Sequence, residues 1–179
     1  MHSITPQELI PGLWRFADTC NVYVIADSRE SIAIDFGSGQ WLEAFGSAGL
    51  PPLKHVFLTH HHPEQCEGLS VRDDWPFTVH ACPGEERFLS PAGVRKYWHT
   101  HGVGGIPESY FVLADGLSCP VEYDLDGFRD TFWGNRRIRI VATPGHGRAA
   151  VSLVLDHADL QLVFCGDAVH AGATVWQPF

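Results

Sequence analysis

At 179 residues and 45% hydrophobic content, the chain has the material for one domain of ordinary size with a sizeable core. Its formal net charge of −9, from 12 Lys+Arg against 21 Asp+Glu with no basic cluster, argues against a nucleic acid or an anionic membrane as the main partner and favours a small-molecule substrate. No apolar run approaches the roughly 18 residues of a membrane span, and the first residues lack a basic stretch followed by an apolar one, so a soluble, cytoplasmic protein is expected.

Short runs rich in Val and Ile read as strands. The first two, Asn21 to Ile25 and Ser31 to Ile34, are joined by the short Ala26–Glu30 connection and read as a hairpin. A helix follows near Gln40 to Ala48, then strands at His55 to Leu58 and Phe77 to Val79. Another helix is expected near Gly84 to Phe88, resuming at Pro91 to Trp98. Thr100 to Cys119 has no clear period and several glycines, and reads as a loop or partly helical excursion that, with Trp98, Tyr110 and Phe111, borders a pocket. A strand at Arg137 to Val141 precedes a second hairpin, Ala150 to Leu155 with Leu160 to Cys165. Pro and Gly are spread as punctuation, with no repeat or low-complexity stretch, so residues 1–179 read as one strand-rich α/β or α+β domain with a mixed sheet. The five cysteines, Cys20, Cys66, Cys82, Cys119 and Cys165, are odd in number and lack C-x-x-C spacing, which points to reduced thiols.

Four of these strands end alike: the apolar run stops and a residue able to bind a metal or a proton follows at once. They lead into Asp35-Phe36-Gly37, Thr59-His60-His61-His62, Thr143-Pro144-Gly145-His146 and Gly166-Asp167. Residues just past strand ends face a common crevice in layered α/β folds, so the groups can converge. In an extended segment, side chains i and i+2 share a face, so His60 and His62 can chelate one ion while His61 points away. Adding His146 gives three imidazoles, a set that suits zinc with an open position for water. Asp167 adds a carboxylate that completes this set or bridges to a second ion. Asp35 reads either as a turn cap or as a hydrogen-bond support for a ligand imidazole. The remaining histidines, His2, His55, His80, His99, His101, His157 and His170, read as surface or packed residues, with His80 and His170 at strand ends. A thiol nucleophile at Cys66 or Cys165 fits less well, since neither has a flanking cation, and no phosphate-cradling glycine loop is present.

The stretches "NVYVIADSRESIAIDFGSG", "HVFLTHHHPEQCEG", "IRIVATPGHGRAAVSLVL" and "LVFCGDAVHAG", in this order over roughly Leu13 to Gly172, resemble the metallo-β-lactamase-fold superfamily of metallohydrolases. The resemblance implies a four-layer αββα sandwich with the site at the edge between its sheets. The family's T-H-x-H-x-D-H motif falls on Thr59 to Gln65, which implies one metal on His60, His62 and His146 and a bridging carboxylate at Asp167. The second metal's Asp and His are replaced here by Glu64 and Gln65, and a neutral amide oxygen substitutes poorly for imidazole. One zinc ion is therefore expected rather than two, with iron as the alternative. The family also carries a further ligand beyond the G-D element, so the chain is expected to lack its C-terminal part, as the N-terminal portion of a longer chain, or to be covered there by a partner subunit.

Three functions follow from this reading. The first is a hydrolase of esters, thioesters, lactones or phosphoesters in which Glu64 and Asp167 move protons. The second is an iron oxidoreductase on His60, His146 and Asp167, like the superfamily members that act on persulfides. The third is a non-catalytic scaffold. β-Lactam hydrolysis is not expected of a chain without an export signal.

Overall fold

The computed structural model describes residues 3–71, 74–82, 121–122, 130–170 and 174–175. Its chain order begins with strands β1 (Gln7–Ile10), β2 (Leu13–Ala17), β3 (Asn21–Ala26) and β4 (Ser31–Ile34), helix α1 (Trp41–Ser47) and strand β5 (Leu53–Phe57). Next come helix α2 (Pro63–Cys66), which runs into a 3-10 stretch at Glu67–Val71, and strands β6 (Thr78–His80) and β7 (Val121–Glu122). The second half supplies β8 (Asp130–Trp133), β9 (Arg136–Ala142), β10 (Val151–His157) and β11 (Leu160–Phe164), a 3-10 turn at Gly166–Ala168, and the small pair β12 (Val169–His170) and β13 (Thr174–Val175).

β1 to β7 form one sheet in sequence order. The pairings up to β3–β4 are antiparallel, and those from β4–β5 onward are parallel, so this sheet is mixed as expected. The second sheet has the order β11-β10-β9-β8 and is antiparallel throughout. Both hairpins read from the sequence are present, β3 with β4 and β10 with β11. The helices expected at Gly84 to Phe88 and Pro91 to Trp98, and the excursion Thr100 to Cys119, lie outside the described residues.

Six strands, β1, β2, β7, β8, β12 and β13, were not read as apolar runs, and for three of them position explains why. β1 is an edge strand with Gln7, Glu8 and Leu9 exposed, and β8 is the edge of the smaller sheet with Phe132 exposed. An edge strand with little to bury carries little hydrophobic signal. β2 carries Arg15 between Trp14 and Phe16, and the Arg15 guanidinium bonds Asn21 Oδ1 and Gln7 Oε1 on its two neighbours, so its alternation is masked by a charge.

Alternation along the central strands divides the core in two. Ile32 and Ile34 on β4 meet Ile138 and Ile140 on β9 and Leu153 and Leu155 on β10, all nearly solvent-free between the sheets. Val22, Val24, Ala33 and Val56 face the other way, toward Trp41 and Phe45 of α1. Trp41 stacks edgewise against Phe36 and Phe45 and donates its indole N–H to Phe36 O at 2.7 Å, so its one polar atom is satisfied although the ring is fully buried. The described residues thus supply a helical layer, a mixed sheet and a second sheet, the arrangement expected from the sequence. No helix among them is long and apolar enough to cross a membrane.

Candidate metal centre

Parallel pairing of β4 with β5 brings their C-terminal ends side by side, and the main chain continues the ladder for one more step, Asp35 N–H to Phe57 O at 2.9 Å. The histidine loop therefore begins beside Asp35. Val151 N–H of β10 donates to Thr59 O at 2.9 Å, which ties the second sheet to the same loop. His146 arrives on the turn between β9 and β10, closed by Thr143 N–H to Ala150 O, and Asp167 on the 3-10 turn after β11.

The ligand atoms of His60, His62 and His146 lie within 4.8 Å of one another. The rings meet edge to face, with centroids 4.6 Å apart for His60 and His62, 4.9 Å for His60 and His146, and 4.5 Å for His62 and His146. His62 Nδ1 and His146 Nε2 are 2.8 Å apart and share a hydrogen bond. Asp167 Oδ2 faces the cluster, 3.6 Å from His146 Nε2 and 3.9 Å from His60 Nε2. His61 is buried next to His62 but does not belong to the converging trio among the described residues, as the alternation argument requires.

Asp35 reaches the centre through Thr59. Its carboxylate accepts the Thr59 main-chain N–H at 2.8 Å and the Thr59 hydroxyl at 2.9–3.0 Å. Because that hydroxyl proton goes to Asp35, what faces His60 Nδ1 at 3.0 Å is a lone pair of Thr59 Oγ1. His60 then carries its proton on Nδ1 and turns an unprotonated Nε2 inward, the tautomer a metal ligand needs. Asp35 holds this place with φ +60, an unusual backbone conformation for a non-glycine residue, and burial raises its pKa to about 7 against the lowering effect of Thr59. Gly166 is fitted to the same cradle: with φ +52, a Cβ there would lie 2.6 Å from Thr59 Oγ1.

The donor set fits a metal ion. His60 Nε2 is buried and has no hydrogen-bond partner among the described residues, and leaving such an atom unsatisfied costs about 1–3 kcal/mol unless something binds it. Burial and the neighbouring rings hold His60 well below its ordinary pKa and push His62 down to about 3, so both remain neutral ligands at neutral pH. Asp167, one-third exposed, is the carboxylate on the solvent side of the trio.

Glu64 and Gln65 follow on α2, whose first helical position is Pro63. No hydrogen bond joins the Glu64 carboxylate to the trio or to Asp167 among the described residues, and its Oε2 is buried without a partner. Its charge and that of Asp18 help burial to raise the Glu67 pKa. The Gln65 side chain, 2% exposed, donates from Nε2 to Asp167 Oδ2 at 3.2 Å. Sequence reasoning weighed Gln65 only as a metal ligand and missed this contact and the Thr59 relay. A buried polar residue three positions after a ligand was the available signal.

His55, His80 and His157 are engaged elsewhere. His80 stacks on Phe57 and shares a 2.9 Å hydrogen bond with His55, while His157 bonds Pro11 and Arg136. The thiols Cys20, Cys82 and Cys165 form no disulfide among the described residues. The Cys66 thiol is turned toward two main-chain carbonyls of the histidine loop, His62 O at 3.3 Å and His61 O at 3.5 Å. Burial, then Asp35, Asp18 and Asp167, raise the pKa of Cys20, which opposes a thiolate beside the centre.

The model of the metallo-beta-lactamase superfamily matches residues 15–179. A curated relative, the metallo-beta-lactamase fold-containing protein ST1585 of Sulfurisphaera tokodaii, is 24% identical over 165 residues, spanning 89% of this chain and 60% of that protein. The native FEZ-1 metallo-beta-lactamase from Legionella gormanii superposes with a TM-score of 0.72 at 16% identity, covering 94% of this chain and 66% of that one. A Cronobacter sakazakii metallo-beta-lactamase described by an HARLDQ motif gives a TM-score of 0.66 at 20% identity, covering 90% of this chain and 64% of that one. At these identities the solved structures show the fold. The chain spans about two-thirds or less of each of these proteins.

Proposed function

The chain belongs to the metallo-beta-lactamase superfamily, and on that premise we propose that it is a metal-dependent hydrolase working with a single ion, zinc, on His60, His62 and His146. The observation that carries this is the buried His60 Nε2, held unprotonated through Thr59 and Asp35 and without a hydrogen-bond partner among the described residues where two more imidazoles and Asp167 converge. An ion bound there supplies Lewis acidity and a water of lowered pKa. The chain's own residues supply the rest. Asp35 and Thr59 fix the tautomer of His60, and the neutral state of His60 and His62 keeps an unprotonated nitrogen on each at neutral pH. Asp167 is the partly exposed carboxylate that receives a proton from attacking water and returns it to the leaving group, with Glu64 as the other candidate.

The substrate class we propose is a small ester, thioester, lactone or phosphoester, handled in the cytoplasm, where the thiols Cys20, Cys82 and Cys165 suit a reducing medium. Elemental analysis of protein purified without nickel, with a panel of ester and phosphoester assays before and after His62→Ala, tests the proposal. Turnover unchanged by that substitution would sink it, and iron as the metal found would move the reading to the oxidoreductase. The observation favouring a non-catalytic scaffold is Gln65 in a ligand position. The Cronobacter protein's motif also opens on His and closes on Gln, as does His60 to Gln65 here. A scaffold predicts negligible metal and a melting temperature unmoved by chelation, whereas a bound ion raises it.

A further inference from the structure

We propose that the Gln65 carboxamide stands in for a second cation beside Asp167, orienting that carboxylate with an N–H donor so that the centre takes one ion. The inference rests on the single-ion hydrolase reading and adds a residue to it.

Gln65 is placed rigidly. Its main-chain N–H donates to His62 O at 3.0 Å, and its carbonyl accepts from Phe36 N–H at 2.8 Å and Gly37 N–H at 3.1 Å, so α2 is fastened to the loop that follows Asp35. From that base the side chain reaches across 102 residues of sequence to Asp167 Oδ2, the same oxygen that faces His146 and His60. Asp167 Oδ2 therefore has two imidazole nitrogens within 4 Å and an amide N–H within hydrogen-bond reach. In a site with two cations, a carboxylate between them is oriented by positive charge from both directions. Here a partial positive charge does the same from the Gln65 side, and an amide nitrogen has no lone pair to offer an ion.

The remaining atom points to a built site. Gln65 Oε1 is buried without a hydrogen-bond partner among the described residues, so the amide is not held by satisfying both of its ends. Among the described residues its side chain bonds Asp167. Asp167 is thus the group that Gln65 acts on, as a positioning residue.

The test counts and titrates metal rather than turnover. Wild-type protein dialysed against buffered zinc is expected to hold one equivalent, even at excess zinc. Gln65→Met keeps the bulk and removes the donor. It is expected to hold one equivalent with affinity lowered about 10- to 100-fold, the usual effect of losing a group that orients a ligand. Gln65→Glu keeps the shape but sets a second carboxylate against Asp167, and the count is expected to rise to two. Two equivalents in the wild type, undiminished affinity in Gln65→Met, or a Gln65→Glu protein with one equivalent bound as tightly as in the wild type would each overturn the inference while leaving the single-centre hydrolase standing or merely enlarged. Wild-type protein holding no metal, with a melting temperature unmoved by chelation, overturns the hydrolase reading itself and the inference with it.

Discussion

His60 and His157 are both buried, 1% and 7% exposed, yet they sit at opposite ends of the larger sheet and are treated differently by it. His157 lies at the end where β3 turns into β4. There its Nε2 bonds Pro11 O at 2.7 Å, its Nδ1 faces the Arg136 guanidinium at 3.2 Å, and its ring packs on Gly12. Nearby, Trp133 donates its indole N–H to Glu30, and Arg136 lies over the Trp133 ring. At the other end, His60 has one nitrogen occupied by Thr59 and the other buried beside two imidazoles and Asp167 with no hydrogen-bond partner among the described residues. Burial is nearly the same in the two places, and the hydrogen-bond account is not. A closed account marks a strut, and an open one marks a place made for something else.

The widest separation comes from removing each ring in turn. His60→Ala is expected to weaken zinc binding by more than the roughly 10- to 100-fold that loss of a supporting residue costs. His157→Ala is expected to keep its zinc but lose about 1–3 kcal/mol of stability, because Pro11 O and the Arg136 guanidinium are stripped of their partner. Metal titration and urea unfolding on both variants decide this, and a crossed pattern would erase the distinction between the two ends. Thr59→Val comes next. It preserves shape, breaks the relay from Asp35 to His60 Nδ1, and is expected to cost about 10- to 100-fold in zinc affinity, read by competition with a chelator.

Much of the open end was legible because the chemistry stands where apolar runs stop. His60, His62, His146 and Asp167 each come shortly after a strand with a Val- or Ile-rich stretch, and the two-residue alternation set His61 apart from its neighbours. Asp35 was read either as a turn cap or as a direct support for a ligand imidazole, and its route through Thr59 was not legible, since the intermediary is an ordinary hydroxyl whose role depends on the parallel register of β4 and β5. Gln65 was weighed only as a doubtful ligand because sequence position suggests atoms that bind metal, whereas its contact to Asp167 depends on how the turn after β11 meets α2. The closed end was scarcely legible, because His157 and Arg136 earn their roles only when the β1–β2 turn folds beneath them.

Smaller effects sharpen the same contrast. Gly166→Ala would press a methyl group onto Thr59 Oγ1 and force a positive φ on alanine, so zinc affinity is expected to fall along with stability. Stability alone should change for Gly134→Ala, where φ is +59 and nothing lies near the added carbon. In the metal-free protein, unfolded histidines take up protons below about 6.5 that folded His60 and His62 refuse. Stability is therefore expected to rise with pH from about 3 to 6.5. Asp35, with its pKa raised to about 7, opposes this rise, because its ionised form is the one that burial disfavours. Asp35→Asn should steepen the rise in a pH series of urea midpoints.

The fastening of α2 to the loop after β4 has a use in measurement. The amides of Phe36 and Gly37 give their hydrogens to Gln65 O, so they can exchange with solvent only when that junction opens. Added zinc that stiffens the histidine loop should slow deuterium uptake at these two amides, which lie nearly thirty residues back along the chain. They are a built-in gauge of whether the centre is loaded, readable without any substrate.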